Sequence, residues 1–354
     1  ETGYIVLTRF NQKASSEVKN AFLDLKKRGM KKLIFDLRNN PGGSLGEAIN
    51  ISNFFLPKGS KITSTKAKVR KWSTTYNASN IPLDLEIPLT ILINESSASA
   101  SEIVAGALQD YDRAVILGER SFGKGLVQRY RNLSYGTQLK LTISKYYTPS
   151  GRCIQELDYA NRDIEGEVPK FSDGTVTSFK TKNGRVVFDG GGITPDVAVG
   201  FSKINESTKE LLKSRAIFNF TTDFFHKNPT ISSITNFSFS SSNFKSFLNY
   251  IKISDTTFKT SQERLFLDAY KLSSDTALIS NEYQEIKKKL LQLKIDNILK
   301  DQDFISDQII DNILIRYYYR KGTYQKKIKK DKVLLEAFKI LKNKPQYTKI
   351  LNGA

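Results

Sequence analysis

The stretch from Pro88 to Gln109 constrains the fold more than any other. Pro88 to Ile93 is an unbroken apolar run of the kind that forms a fully buried strand. From Asn94 the chain changes to small residues, Asn94-Glu-Ser-Ser-Ala-Ser-Ala-Ser101, and then places Ile103, Val104, Ala107 and Leu108 at helical spacing. A strand that enters a helix through a Ser/Ala turn brings backbone N–H groups to the C-terminal edge of its sheet. Ligands of open α/β sheets gather at that edge. The upstream chain fits the same plan. Gly3 to Phe10 is β-rich, Asn11 to Arg28 carries Val18, Phe22 and Leu25 on one face with Gly29 as a stop, and Lys32 to Leu37 is a short buried strand. Strand, helix and strand at this spacing make a βαβ unit, so the sheet is at least partly parallel.

Two glycine-bearing turns accompany the serine-rich one. Arg38-Asn-Asn-Pro-Gly-Gly-Ser44 joins the second strand to a helix carrying Leu45, Ala48, Ile49 and Ile51. It is either a plain βα turn or one whose uncovered N–H groups let something approach. It is not a phosphate-binding Walker loop, because no Gly-Lys-Ser/Thr closes it. Gly118 to Gln128 follows another short strand, Ala114 to Leu117, and sets Lys124 between two glycines.

Further on, Lys61 to Trp72 reads as a strand or hairpin arm. Arg129 to Leu133 and Thr137 to Tyr147 read as strands about Ser134-Tyr-Gly136, a hairpin signal. Gly151 to Gly192 is rich in Gly, Asp, Lys and Ser, with β-like Arg185 to Phe188, and Ile193 to Val199 is expected to be a last edge strand. From about Phe201 glycine nearly vanishes, and helical faces appear at 211–225, 261–272, 282–299, 304–319 and 333–341. Ser232 to Phe247 reads as an irregular linker or short helix. Two domains are expected: an α/β core over 1–200 and an all-α domain over 201–354.

Composition removes several chemistries. The single cysteine, Cys153, excludes an internal disulfide and a thiolate-rich metal site, and reads as a small half-buried hydrophobe. The single histidine, His226, lies in Asp223-Phe-Phe-His-Lys, far from the serine-rich turn. A Ser-His-Asp triad would rest on it alone, and a His-Glu-x-x-His zinc site needs two. A nucleophile here needs another base. The net charge of +19 is spread along helix faces without a zinc-finger, RRM or KH signature. It is read as a solvated basic surface, or one drawn to anionic envelope material, and nucleic acid is not an expected partner. No run of eighteen apolar residues is present. The chain starts on Glu1 without methionine, which is expected of a piece of a longer protein.

A serine hydroxyl attacks only once a base removes its proton. A lysine can be that base if an apolar setting lowers its pKa from about 10.4 toward neutrality. Phe122-Gly-Lys-Gly-Leu126 offers such a setting, although Gly-Lys-Gly on its own is most simply an exposed turn.

Taken together these pieces resemble a known family. Ser97-Ala-Ser-Ala-Ser-Glu-Ile103, Gln109-Asp-Tyr111, Arg113-Ala-Val115, Gly118-Glu119, Phe122-Gly-Lys-Gly125 with Gln128, and Asp36-Leu-Arg-Asn-Asn-Pro-Gly-Gly43 look like the carboxyl-terminal processing (tail-specific) proteases. The resemblance covers about Gly3 to Val199. It implies a serine–lysine dyad with Ser99 as nucleophile and Lys124 as base. Gln128 would orient the lysine by a hydrogen bond, and the N–H groups of Gly43 and Ala100 would form the oxyanion hole. It implies an α/β core related to the Clp protease and crotonase folds, with an added β portion ahead of the all-α C-terminal domain. Neither metal nor organic cofactor is implied. The expected partners are protein or peptide substrates, cut at their C-terminal tails, in the bacterial periplasm or envelope. The helical domain is the expected surface for a regulatory or adaptor protein or for assembly of like copies. Members of this family usually carry a PDZ domain, and this chain shows none. The competing expectation is a latent or non-catalytic protein-binding scaffold that keeps the fold.

Overall fold

The computed structural model describes residues 1–164, 166, 168–170, 176–200, 204–253, 258–273 and 279–353. Phe201 and Ala354, the limits of the expected helical domain, lie outside them.

The first unit, 1–200 with 332–354, is built on a five-stranded sheet. Its early elements are β1 (Thr2–Val6), α1 (Ala14–Lys27), β2 (Lys32–Asp36), α2 (Leu45–Asn53), β3 (Lys61–Ala67), β4 (Thr74–Asn77), β5 (Leu89–Ile93), α3 (Ala100–Asp110) and β6 (Val115–Gly118). After these come β7 (Leu126–Asn132), β8 (Gln138–Tyr147), β9 (Ser178–Lys180), β10 (Val186–Phe188) and β11 (Val197–Ala198). The order β1-β2-β5-β6-β11 is parallel throughout, with Leu33 opposite Leu89 and Ile91 opposite Ile116. The βαβ reading and the edge strand are therefore observed, the latter cut to two residues behind Pro195. A second, antiparallel sheet runs β4-β3-β8-β7, and β9 pairs with β10.

A parallel sheet must be covered on both faces, and the period-2 alternation shows how this one is. Leu33, Phe35, Leu89, Ile91, Ile93 and Ile116 share a core with residues of α1, α2 and α3. Their neighbours Ile34, Leu92, Val115 and Leu117 point to the other face. The cover there comes from the end of the chain, where Val333, Leu334, Ala337, Ile340 and Leu341 join Ile34, Leu92, Val115 and Leu117. Tyr347 adds a polar latch, its hydroxyl accepting the Leu89 N–H and donating to the Leu89 carbonyl. Residues 332–354 thus pack with the sheet, although they continue the helical region expected over 201–354. A 3.6-residue apolar stripe states that a face is buried, not against what.

The second unit, 201–331, carries α4 (Glu206–Lys213), α5 (Ala216–Lys227), α6 (Ser241–Ile253), α7 (Ser261–Leu272), α8 (Ser280–Lys300) and α9 (Gln302–Lys327). Its core gathers Leu211, Phe244, Phe247, Ile298, Ile305, Ile309 and Ile313. The helical face expected over 211–225 is two helices broken at Ser214–Arg215, and α9 is kinked at Tyr319, whose φ is 56°. That kink falls where the sequence pattern ends. The chain closes with α10 (Lys332–Lys342) and α11 (Lys344–Asn352) of the first unit. No described helix is long and apolar enough to cross a membrane.

Candidate active site

Adjacent parallel strands release their following turns at the same sheet edge, so the turn after β2 meets the turn after β5. The approach is close. A Cβ added to Gly42 would lie 2.8 Å from both Ala100 N and Ser99 Cβ and 2.6 Å from the Ala98 carbonyl. Gly43 has a φ of 147°, and a side chain there would collide with the Phe10 carbonyl. Both glycines are required by backbone geometry.

Ser99 is the N-cap of α3, with φ 57° and ψ −110°. A non-glycine residue in that region is strained by about 1–3 kcal/mol and persists only when its surroundings hold it. The holding group is Glu102, one turn into the helix. Its Oε2 accepts the Ser99 N–H at 2.7 Å and the Lys124 N–H at 2.9 Å. Its Oε1 accepts Ser121 Oγ and the Gly123 N–H, each at 2.6 Å. Glu102 is fully buried. Burial pushes its carboxyl above the usual range, while the four hydrogen bonds pull it back down without cancelling the rise. Sequence reading gave Glu102 no role. The signal was present as a serine with glutamate three residues on, the capping-box spacing.

The lysine-bearing loop is braced from its other side as well. Gln155, 4% exposed, accepts the Gly125 N–H at 2.8 Å and donates to the Leu157 carbonyl. The Glu156 N–H donates to the Gly123 carbonyl. A Cβ on Gly125 would stand 2.7 Å from Gln155 N, which accounts for one of the two glycines that flank Lys124. Beneath α3, the fully buried Arg152 guanidinium binds Asp110 at 2.8 Å and Gln109 at 2.7 Å, tying the same segment to the helix end. Arg185 binds Asp112 and Asp196 in the adjoining pair.

The expected site residues fall into two groups. Gly42, next to Gly43, packs against Ser99 and Ala100, and among the described residues the Gly43 and Ala100 N–H groups have no hydrogen-bond acceptor. Lys124 is tied to the same centre through its main chain, but its side chain is exposed and not hydrogen-bonded to Ser99. The water exclusion expected from Phe122 is not seen, for Phe122 is itself 47% exposed. Gln128 is exposed on β7 and makes no hydrogen bond to Lys124. A bulge between Val127 and Gln128 breaks the strand alternation at the start of β7. Among the described residues no three His, Cys, Asp or Glu side chains are grouped to hold a metal ion.

Comparison with known proteins covers both units. Residues 1–165 match the model of peptidase family S41, and 207–341 match the C-terminal helical domain of a probable PDZ-protease. A probable CtpA-like serine protease of Staphylococcus aureus (strain COL) is 38% identical over 215 residues, 59% of this chain and 42% of that protein. The Staphylococcus epidermidis protein of the same description is 39% identical over 170 residues, 48% of this chain and 34% of its own. The chain thus spans less than half the length of these relatives. Among solved structures, the photosystem II D1 C-terminal processing protease shares 30% identity over 56% of this chain and 42% of that one, with a TM-score of 0.43.

Proposed function

Since residues 1–165 match the model of peptidase family S41, we propose that this protein is a serine endopeptidase in which Ser99 and Lys124 form the reacting pair. The observation that carries the reading is the shared acceptor: one buried carboxylate oxygen holds the backbone of both residues. Ser99 Oγ attacks the peptide carbonyl carbon as its proton passes to the neutral amine of Lys124, and the carbonyl oxygen takes the negative charge. Gly43 and Ala100 N–H groups, which no acceptor among the described residues claims, receive that oxygen. The intermediate collapses with cleavage of the C–N bond, and Lys124 returns the proton to the departing amine. Water then attacks the acyl-enzyme by the reverse use of the same groups. A substrate seated over Phe122 and Lys124 supplies the desolvation that the free site lacks.

C-terminal tails as substrates and work in the bacterial envelope are carried over from the motif resemblance alone; the description of the staphylococcal relatives as probable CtpA-like serine proteases supports the serine peptidase chemistry. A regulatory protein on the helical unit belongs to the same proposal.

A latent form is a second reading, favoured by the exposed Lys124 side chain that makes no bond to Ser99. One experiment serves both. An unfolded protein with an apolar C-terminus is incubated with the chain, with Ser99→Ala, with Lys124→Ala and with Ser97→Ala. Cleavage lost in the first two variants and kept in the third supports the dyad, and cleavage surviving Ser99→Ala refutes it. A silent parent chain that becomes active when the upstream segment of the full-length protein is restored supports latency.

A further inference from the structure

An oxyanion hole made from two separate turns works only if the gap between its two donors is fixed. Here one donor follows β2 and the other starts α3, so something must hold the two turns in register. The side chains that define the reaction do not do this, because Ser99 and Ala100 lie on one turn and Gly43 on the other.

Asn40 is fully buried between them. Its Oδ1 accepts the Gly42 N–H at 2.9 Å, fixing the peptide unit next to Gly43. Its Nδ2 donates to the Leu7 carbonyl at 2.7 Å, which anchors that amide to the end of the first strand. Its own carbonyl faces the other turn, accepting the Ala98 N–H at 3.0 Å and Ser101 Oγ at 2.9 Å. These two donors bracket Ser99 and Ala100. One residue therefore grips the Gly43 turn with its side chain and the Ser99–Ala100 turn with its backbone. The side-chain task needs a donor and an acceptor on one short, neutral group, which a carboxamide supplies and an alkyl chain does not.

We propose that Asn40 is a positioning residue for the oxyanion hole, setting the separation of the Gly43 and Ala100 N–H groups; this rests on the serine peptidase reading above. Asn40 touches neither substrate nor the reacting atoms, so its loss acts on the transition state through Gly43. Asn40→Ala in an otherwise folded protein is expected to lower kcat by about 10- to 100-fold with KM changed less than threefold, a share of what a lost oxyanion donor costs. Affinity for a peptide boronic acid, whose tetrahedral adduct on a serine mimics the intermediate, falls by a similar factor. Asn40→Asp keeps the acceptor for Gly42 but offers no proton to Leu7 when ionised. It is expected to lose less than Asn40→Ala and gives a second reading if the alanine variant does not fold.

The two layers of the argument separate cleanly. Boronate binding that is equal in the parent and in Ser99→Ala overturns the peptidase reading and this inference with it. Binding that depends on Ser99 but is the same in the parent and both Asn40 variants overturns this inference alone. A loss confined to KM, with kcat and boronate affinity unchanged, overturns it too. A parallel fall in kcat and boronate affinity at near-constant KM supports it.

Discussion

Ser99 and Lys124 donate their backbone N–H groups to a single atom, Glu102 Oε2, at 2.7 and 2.9 Å. Residues 25 positions apart are thereby fixed to one point before either side chain takes part in chemistry. The lysine main chain is held by this bond while its side chain is exposed.

The charge state of Glu102 gives a pH prediction with a definite sign. Burial raises its carboxyl in the folded protein. The folded state therefore holds this proton to higher pH than the unfolded chain does, and folding stability falls as pH rises from the ordinary glutamate value through the raised one. Glu102→Gln is expected to flatten that part of the stability–pH curve in denaturant melts across the mildly acidic range. It also exchanges one acceptor oxygen for an amide, so peptide cleavage drops. An unchanged slope in the glutamine variant would mean that another group governs this range.

Gly43→Ala meets the Phe10 carbonyl and demands a left-handed φ of an L-residue. The turn must move, taking one proposed donor with it. Cleavage is expected to fall about 10²–10³-fold in kcat, read in steady-state assays on variant protein whose circular dichroism matches the parent.

Arg152 and Asp110 are both 1% exposed in their side chains. Arg152→Met strands a buried carboxylate and is expected to cost about 3–5 kcal/mol. Replacing Asp110 with Leu in the same chain should return part of that loss, but not all, because Asp110 also accepts the Ser150 N–H. Urea midpoints at constant slope measure both.

Thr90 lies on the sheet face covered by α10, buried, with no hydrogen-bond partner for its hydroxyl. Thr90→Val removes that hydroxyl at nearly constant volume and is expected to stabilise by about 1 kcal/mol. Leu334→Ala across the same interface should instead cost about 2–5 kcal/mol. Thermal melts that order the two variants the other way would contradict this packing.

Much of the architecture was legible because it is local. The apolar run before Asn94, the glycines at 42 and 43, and the stripe on α1 each announce a strand, a turn or a helix within a few residues. The serine-rich turn and the Gly-Gly turn were joined only by the family resemblance, because the βαβ unit does not say which later strand lies beside the second. What stayed hidden depends on partners distant in sequence. Glu102 is a clamp only because Ser121, Gly123 and Lys124 arrive from another loop, and Gln155 matters only because Gly125 packs on it. The bulge between Val127 and Gln128 was hidden too, since it interrupts an alternation that the sequence shows intact. The stripe on α10 was visible, but nothing in it names the sheet as its partner.

That partnership also orders events during synthesis. The β-sheet is complete in sequence by residue 200, yet among the described residues the helices packed on its second face come from 332–354. The helical unit between them, 201–331, emerges first. At ribosomal rates of about 5–20 residues per second, the face bearing Ile34, Leu92, Val115 and Leu117 waits on the order of 7–26 s for its cover. For the whole of that interval the apolar face that residues 332–354 will cover is without them.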